Sequence, residues 1–401
     1  MHNKRFLFFM VAGVILGFLV GGYLEDFALA TSFIGELFLN ALKMVVLPLI
    51  IISIANSILN METINRFKQL GTKILLYYII TTSIAVSIGI FTVVLIKPGE
   101  DISLKTEIPF NKEVSFSLHD LIVSLIPPNI FKALTEFDVL PVIVSTILFS
   151  LALLSIERER KLKLHSIISE LDVALLKLTE WIINFAPVGI FSLIATKIAS
   201  LGGAKAIVPV IISLSKYVLT VLLALFIHAA IVLPFLYYLL TGKNPYSFVA
   251  KVKEALLTAF ATASSSATLP ITLKSVESAG VKRTIAEFTL PLGATINMDG
   301  TALYEAVAVI FLAEAYGMDL SLSHYLIIFL TATLAAIGAA GIPEAGLVTM
   351  VLVLQAVGVP QEAVGLILAI DWFLDRCRTS VNVLGDAMGA AIVDRYTKKS
   401  F

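Results

Sequence analysis

The chain of 401 residues is 58% hydrophobic and only 14% charged. A soluble domain is roughly half apolar and about a quarter charged, so this composition excludes an ordinary soluble enzyme and a disordered chain. The 29 basic and 29 acidic residues balance, which leaves no positive surplus for binding nucleic acid. Cys377 is the single cysteine, so no internal disulfide can form. Composition therefore predicts a polytopic membrane protein.

Long apolar runs without alternation predict membrane-spanning helices and an all-α fold, because one helix needs about 20 apolar residues and barrel strands would alternate. In chain order, eight runs are found at 6–23, 37–59, 74–96, 140–156, 175–198, 207–240, 284–315 and 363–393. Several are longer than an upright helix needs, so we expect tilt. The first run is expected to remain in the protein as a span, because further spans follow without a small-residue cleavage site.

Two further apolar stretches are interrupted near their middle. Three consecutive serines at 264–266 break the stretch 255–273, and glycines and a proline between 338 and 346 break the stretch 325–354. Unpaired backbone cannot face lipid, so each break must be buried in protein or line a wet cavity. Two such breaks in one half of the chain predict two re-entrant helical hairpins around a transport site. The alternative is a kinked ordinary span.

Positive charge alternates between the connections of the predicted spans. Lysine and arginine precede the first span, follow the second, fourth and sixth spans, and end the chain, whereas the connection 98–120 is acid-rich. Short positive loops favour the cytoplasmic side of a membrane. We therefore expect a multi-pass protein of the cell (inner) membrane with both termini in the cytoplasm.

The last predicted span carries the most informative polar face. Asp371, Asp375, Arg378, Asn382 and Asp386 are spaced by 4, 3, 4 and 4 residues, which places them within a helical sector of roughly 80°. Charges at membrane depth are expensive unless they are paired or hydrated. Arg378 can hold a carboxylate with two parallel bonds, Asp375 can hold an ammonium group, and Asp386 suits a small hard cation such as Na⁺. A buried Asp375–Arg378 ion pair that fixes helix packing is the alternative.

A second polar segment, 297–301, interrupts an apolar helical pattern. Asn297, Asp299 and Gly300 are poor helix formers, so they predict a local unwinding that frees backbone carbonyl groups for ion coordination. A glycine kink is the alternative. The serines at 264–266 offer hydroxyl groups and free N–H groups where a half-helix begins, a position that attracts anions, although a serine run alone also fits a linker.

Two titratable residues are candidates for carrying a proton. Glu305 follows Thr301 by four residues at membrane depth, where its charged form is disfavoured by loss of water. His228 lies deep in the sixth predicted span and is the competing candidate, although a lone histidine there is more commonly a packing residue. The chain contains no ATP-binding G-x-x-x-x-G-K-[ST] motif and no paired nucleophile and base. We therefore expect no enzyme but a gradient-driven transporter or a passive channel.

Four motifs in chain order, at 264–268, 297–305, 341–346 and 371–386, resemble those of the glutamate transporter family, the dicarboxylate/amino acid:cation symporters. The resemblance covers essentially the whole chain and implies eight transmembrane helices plus two re-entrant hairpins, with inverted repeats. It also implies a homotrimer that works by an elevator mechanism. The static scaffold would comprise 1–70 and 99–203. The moving transport domain would comprise 71–98 and 204–401, with hairpin 1 at about 248–277 and hairpin 2 at about 322–356.

The resemblance also implies the site residues. Substrate would contact Ser264, Ser265, Met298, Thr301, Gly346, Asp375, Arg378, Thr379 and Asn382. One sodium ion would contact Asp386 and the backbone of Gly293, Asn297 and Asn382. A second ion would contact Thr295, Met298 and the backbone of Ala336, Ile337 and Ala339. A third would contact Tyr78, Thr81, Thr82, Asn297 and Asp299.

Branch-specific residues refine the implied function, which is sodium-coupled symport of L-glutamate and L-aspartate. Archaeal members of the family are expected to have an arginine directly before the three serines, where this chain has Ala263. Arg376 and Glu305 instead resemble the residues at these positions in the animal excitatory amino acid transporters. These two residues imply proton co-transport and potassium counter-transport. The absence of a long glycosylated loop is typical of a prokaryotic member, and Glu344 departs from the uncharged residue expected at the tip of hairpin 2. Symport of dicarboxylates such as succinate or malate, and a chloride channel, are the alternatives.

Overall fold

The computed structural model describes residues 2–59, 71–100, 102, 123, 125–136, 139–338, 341, 343, 345–360 and 364–397. Within these residues the regular elements are helices. In chain order they are α1 (His2–Tyr23), α2 (Glu25–Ala30), α3 (Ser32–Leu59), α4 (Thr72–Ile96), α5 (Ile130–Thr135), α6 (Val139–Ser155), α7 (Arg158–Asn184), α8 (Ala186–Ser200), α9 (Ala204–Ile227), a π-helical segment (His228–Val232), α10 (Leu233–Thr241), α11 (Pro245–Thr262), α12 (Ser265–Ser278), α13 (Arg283–Ile296), α14 (Asp299–Ala315), α15 (Leu322–Gly338), α16 (Ala345–Ala356) and α17 (Val364–Thr397). The expected all-α membrane class is confirmed.

Several of these helices could cross a membrane. Among the described residues, four stretches are long and apolar enough, namely Glu25–Leu59, Thr72–Ile96, Ala204–Thr241 and Arg283–Ala315. A fifth results if α7 and α8 count as one broken span. Shorter apolar helices cover Phe8–Tyr23, Pro141–Ser155 and Leu322–Ile337, and the polar last helix α17 coincides with another predicted span. The count of eight spans therefore stays a prediction.

The fifth predicted span, 175–198, is divided between two helices. Its chain bends by 49° between α7 and α8, at Phe185. Pro187 occupies the first turn of α8, where a proline is tolerated because its missing N–H would have no partner there. The basic residues from Arg158 to Lys163, expected in a connection, instead form the first turns of α7.

Each of the two predicted interruptions separates a pair of helices that contact each other. In hairpin 1, α11 ends at Thr262 and α12 begins at Ser265, so the break lies one to two residues before the expected centre of the serine run. Ala263 has a left-handed φ of 52°, which turns the chain, and the Ser264 side chain accepts from the Ala267 N–H to begin α12. In hairpin 2, α15 and α16 flank the glycine-rich segment and contact each other.

The core is centred on α14 and α17, which contact each other and both contact α4 and α9. A helix that is apolar all round is stable only when neighbours surround it, and nearly every residue of α14 is buried. Gly300 allows this close approach, because a Cβ there would lie 2.6 Å from the Arg378 carbonyl oxygen. The polar face of α17 therefore lies in the middle of the protein, next to the broken segments.

Candidate functional site

An arginine–aspartate cluster forms the centre of the site. Arg378 is only 1% exposed, and its Nη1 and Nη2 donate to the two oxygens of Asp371 at 2.6 and 3.1 Å. Its Nε donates to Asp375 Oδ1 at 2.9 Å. The ring of Tyr304 lies under the guanidinium, with 4.2 Å between its centroid and Cζ. One buried positive charge is thus held between two buried carboxylates.

Asn382 joins this cluster to the unwound segment between α13 and α14. Its Oδ1 accepts from the Gly300 N–H at 2.8 Å, and its Nδ2 donates to Thr301 Oγ1 at 3.2 Å and to Met298 Sδ at 3.2 Å. On the other side, Gly346 of hairpin 2 lies so near that an added Cβ would be 2.9 Å from the Thr301 methyl group. Four residues predicted to bind substrate therefore lie in one small region.

The remaining predicted substrate residues lie at its edge. The Thr379 hydroxyl donates to the Asp375 carbonyl oxygen at 2.7 Å, within the same helix. Ser264 and Ser265 are buried at the tip of hairpin 1. The carbonyl oxygen of Gly341 accepts from the Ser264 hydroxyl at 2.6 Å and from the Ser266 N–H at 3.1 Å. The tips of the two hairpins are thus joined by hydrogen bonds beside the cluster.

The unwinding predicted at 297–301 is present but shorter than expected. Asn297 is extended and Met298 is non-helical, and Asp299 already begins α14. Asn297 Nδ2 donates to Asp386 Oδ1 at 2.9 Å and to the Asn382 carbonyl oxygen at 3.2 Å. A Cβ on Gly293 would collide with the Asp386 carboxylate, so these residues, predicted for the first sodium ion, are adjacent.

This group has the chemistry that a sodium ion requires. Asp386 is 3% exposed, and no basic partner for it occurs in the part of the chain that the structure describes. Asn297 Oδ1 is buried there without a hydrogen-bond donor. Buried acceptors are normally satisfied, and a buried carboxylate needs a positive partner, so an orphaned carbonyl beside an unpaired carboxylate fits a small cation.

The residues predicted for the third ion surround Asp299. Thr82 and Thr81 of α4 donate their hydroxyl groups to Asp299 Oδ1 at 2.6 and 3.1 Å. His228 Nε2 lies 3.0 Å from Asp299 Oδ2. The Tyr78 hydroxyl donates to the Thr289 carbonyl oxygen at 3.2 Å, close to Gly293. The position of His228 in the sequence indicated only a packing or proton-carrying role, and no sequence signal pointed to its contact with this predicted ion site.

The group predicted for the second ion is placed only in part. The Thr295 hydroxyl lies 2.8 Å from the Ser57 hydroxyl of α3. Ala336 is buried and Ile337 half-buried near the end of α15. Ala339 and Glu344 lie outside the described residues.

The two predicted coupling residues occupy different surroundings. Glu305 is fully buried in α14, and Thr349 of hairpin 2 donates to its Oε1. Its Oε2 has no hydrogen-bond partner among the described residues. Arg376 Nη1 donates to the carbonyl oxygens of Phe260 and Ala261 at 3.0 and 2.7 Å, and so binds the C-terminal end of the first arm of hairpin 1. No sequence pattern indicated a partner for either residue.

A cavity of about 610 Å³ lies beside the cluster. Thr262 and Ala263 of hairpin 1, Pro343 of hairpin 2, and Asp375 and Arg376 of α17 line one side of it. The other side is formed by Phe6 and by α7. The cavity reaches Asp375 between the two hairpin tips, so it provides a route between this end of the site and the protein surface.

The apolar helices, the paired half-helices and the buried polar cluster together define a helical membrane transport protein. A model of the sodium:dicarboxylate symporter family matches residues 6–396. The chain belongs to this family. It is 41% identical to a Caenorhabditis elegans protein named "Excitatory amino acid transporter", over 99% of this chain and 88% of that protein. It is 39% identical to "Excitatory amino acid transporter 1" of Ambystoma tigrinum, across 97% of this chain and 82% of that protein. It is also 39% identical to "Excitatory amino acid transporter 3" of Mus musculus, across 97% of this chain and 84% of that protein. The family resemblance inferred from the motifs is therefore confirmed.

Proposed function

We propose that this protein is a sodium-coupled symporter of the acidic amino acids L-glutamate and L-aspartate. The observation that carries the proposal is the charge pattern of the buried site. One guanidinium group lies between two carboxylates. Asp299 and Asp386 are also buried, and among the residues described the only basic partner of Asp299 is a histidine, His228, whereas Asp386 has no basic partner. Such a site is complete only with added cations and with a ligand that carries both charges.

Arg378 and Asp375 support an amino-acid substrate with an acidic side chain. The guanidinium would bind the side-chain carboxylate in exchange for part of its contact with Asp371, and Asp375 would bind the ammonium group. Succinate or malate would leave Asp375 facing carboxylates without an ammonium group. A neutral amino acid would not use the guanidinium. We therefore favour acidic amino acids over dicarboxylates within this family.

Asn382 supports coupling between sodium and substrate. Its carbonyl oxygen belongs to the predicted first sodium site, whereas its side chain contacts the Gly300 N–H, Met298 and Thr301 beside Arg378. A cation at Asp386 would fix the position of Asn297 and Asn382, and thereby prepare the substrate site. Binding of sodium then increases the affinity for substrate, and binding of substrate increases the affinity for sodium by the same factor, which is the requirement for coupling.

Further features of the proposal concern movement and counter-ions. Residues 1–70 and 99–203 would form a scaffold in a homotrimer, and 71–98 and 204–401 would move as the transport domain, with both termini in the cytoplasm. Glu305 would carry a proton, because its Oε2 is buried without a partner in the described chain and its Oε1 accepts from hairpin 2. Arg376, bound to hairpin 1, would support potassium counter-transport.

Equilibrium binding to the purified protein tests the proposed ligands. Labelled L-aspartate should bind in sodium chloride and not in choline chloride, with unlabelled L-glutamate competing and malate competing far less. Equal competition by malate would favour the dicarboxylate alternative. Binding of aspartate in choline would contradict sodium coupling.

A further inference from the structure

The histidine that contacts the predicted third ion site lies at an irregularity in its helix. His228 begins a π-helical segment between α9 and α10, and Pro234 follows in the first turn of α10. Such single π turns inside α-helices are frequent at functional sites. The His228 side chain is 0% exposed and is directed at Asp299.

Asp299 is held from two sides by different helices. Its Oδ1 accepts hydroxyl groups from Thr81 and Thr82 of α4, and its Oδ2 lies 3.0 Å from His228 Nε2. Hydroxyl groups are neutral and leave the negative charge of the carboxylate uncompensated. These contacts thus fix the plane of the Asp299 carboxylate, and its negative charge remains available to bind a cation.

The hydrogen-bond partners of His228 define its role. A carboxylate only accepts hydrogen bonds, so His228 Nε2 must carry the proton and donate it. His228 Nδ1 is buried and has no hydrogen-bond partner within the described part of the chain. The contact therefore gives His228 Nε2 the role of an N–H donor to the Asp299 carboxylate.

We propose that His228 is a positioning residue for sodium: its Nε2–H orients the Asp299 carboxylate toward an ion shared with Thr81, Thr82 and Asn297. This inference rests on the proposed function, since it assigns Asp299 to an ion site. An N–H donor holds the carboxylate in this orientation through one hydrogen bond. A lysine or arginine at this position would neutralise Asp299 and exclude the ion.

The test compares two amide variants that place an N–H group at different distances. In His228→Gln the amide reaches the position of Nε2, whereas in His228→Asn it reaches only the position of Nδ1. The measured quantity is the sodium concentration that gives half-maximal binding of labelled L-aspartate. We expect about a tenfold increase for His228→Asn, which corresponds to the loss of one hydrogen bond to a charged group. His228→Gln should remain within about threefold of the original protein, and aspartate affinity at saturating sodium should change little in both.

Thr220→Ala on α9 is the matched control. Thr220 is also 0% exposed, but its hydroxyl donates to the Lys216 carbonyl oxygen of its own helix. The control should leave the sodium requirement unchanged, and a melting curve of each variant checks that it folds. If His228→Asn does not fold, the rescue by His228→Gln is judged against His228→Ala.

Three results would overturn the inference. An unchanged sodium requirement in folded His228→Asn would remove the positioning role. Equal weakening in the Asn and Gln variants would indicate packing alone. Tighter sodium binding in either variant would mean that His228 competes with the ion as a cation. If the original protein itself binds aspartate without sodium, the proposed function fails, and that outcome is distinct from the other three.

Discussion

Removing the buried guanidinium tests the substrate site, but the structure requires that its charge be balanced. Arg378→Ala alone would leave Asp371 and Asp375, at 1% and 4% exposure, without their cation. Removing one partner of a buried ion pair costs about 3–5 kcal/mol, a large share of a typical stability of about 5–15 kcal/mol. We therefore combine Arg378→Ala with Asp371→Asn, which keeps the net charge of the cluster.

The double variant should lose acidic substrates selectively. A substrate carboxylate held by two charged hydrogen bonds gains about 1.5–3 kcal/mol from each, so aspartate affinity should fall by at least roughly a hundredfold. Alanine and serine have no second carboxylate, so their binding should stay equal or improve. Calorimetry in sodium measures both classes of ligand, and Asp371→Asn alone is the control. Aspartate affinity within about threefold of the original in a folded double variant would refute the role of Arg378.

Two further predictions concern the proton and the moving domain. Glu305→Gln should abolish the pH dependence of net uptake, whereas sodium-dependent exchange of internal for external substrate should survive. The reason is that the neutral amide imitates the protonated acid at this buried position. An unaltered pH profile would exclude Glu305 as the proton carrier. Ser57 and Thr295 have hydroxyl groups 2.8 Å apart on α3 and α13, which we propose to belong to the scaffold and to the moving transport domain. Oxidising Ser57→Cys/Thr295→Cys in a Cys377→Ser background should stop uptake until a reductant is added; full uptake by demonstrably cross-linked protein would contradict relative movement of these helices.

The sequence predicted those parts of the fold that depend on local patterns. Apolar runs identified the long helices, and the serine and glycine-rich segments marked where the hairpins turn. The bend at Phe185 was missed because the apolar run 175–198 continues across it, although Pro187 was a local signal for it. The unwound segment is limited to Asn297 and Met298, and the Asp299 side chain that follows it accepts hydrogen bonds from α4, a contact that no local pattern specifies.

Helical spacing predicted the shared face of α17 but not the choice of partners on it. Asp371 and Arg378 lie seven residues apart, two turns along one face, and the rotamer of the arginine decides that Nη1 and Nη2 meet Asp371 while Nε meets Asp375. The contact between His228 and Asp299 joins residues 71 positions apart, so it depends on how two helices pack. The same holds for Thr349 and Glu305, which are 44 positions apart.

Uptake into proteoliposomes tests the central claim most directly. Labelled L-glutamate or L-aspartate is supplied outside with sodium or choline, and the lumen contains potassium or choline. Uptake should require external sodium and should be faster with internal potassium. Sodium-dependent uptake that is indifferent to potassium would remove only the counter-transport proposal. If neither amino acid is taken up in a sodium-dependent manner by protein that is shown to be folded, sodium-coupled transport of acidic amino acids is contradicted.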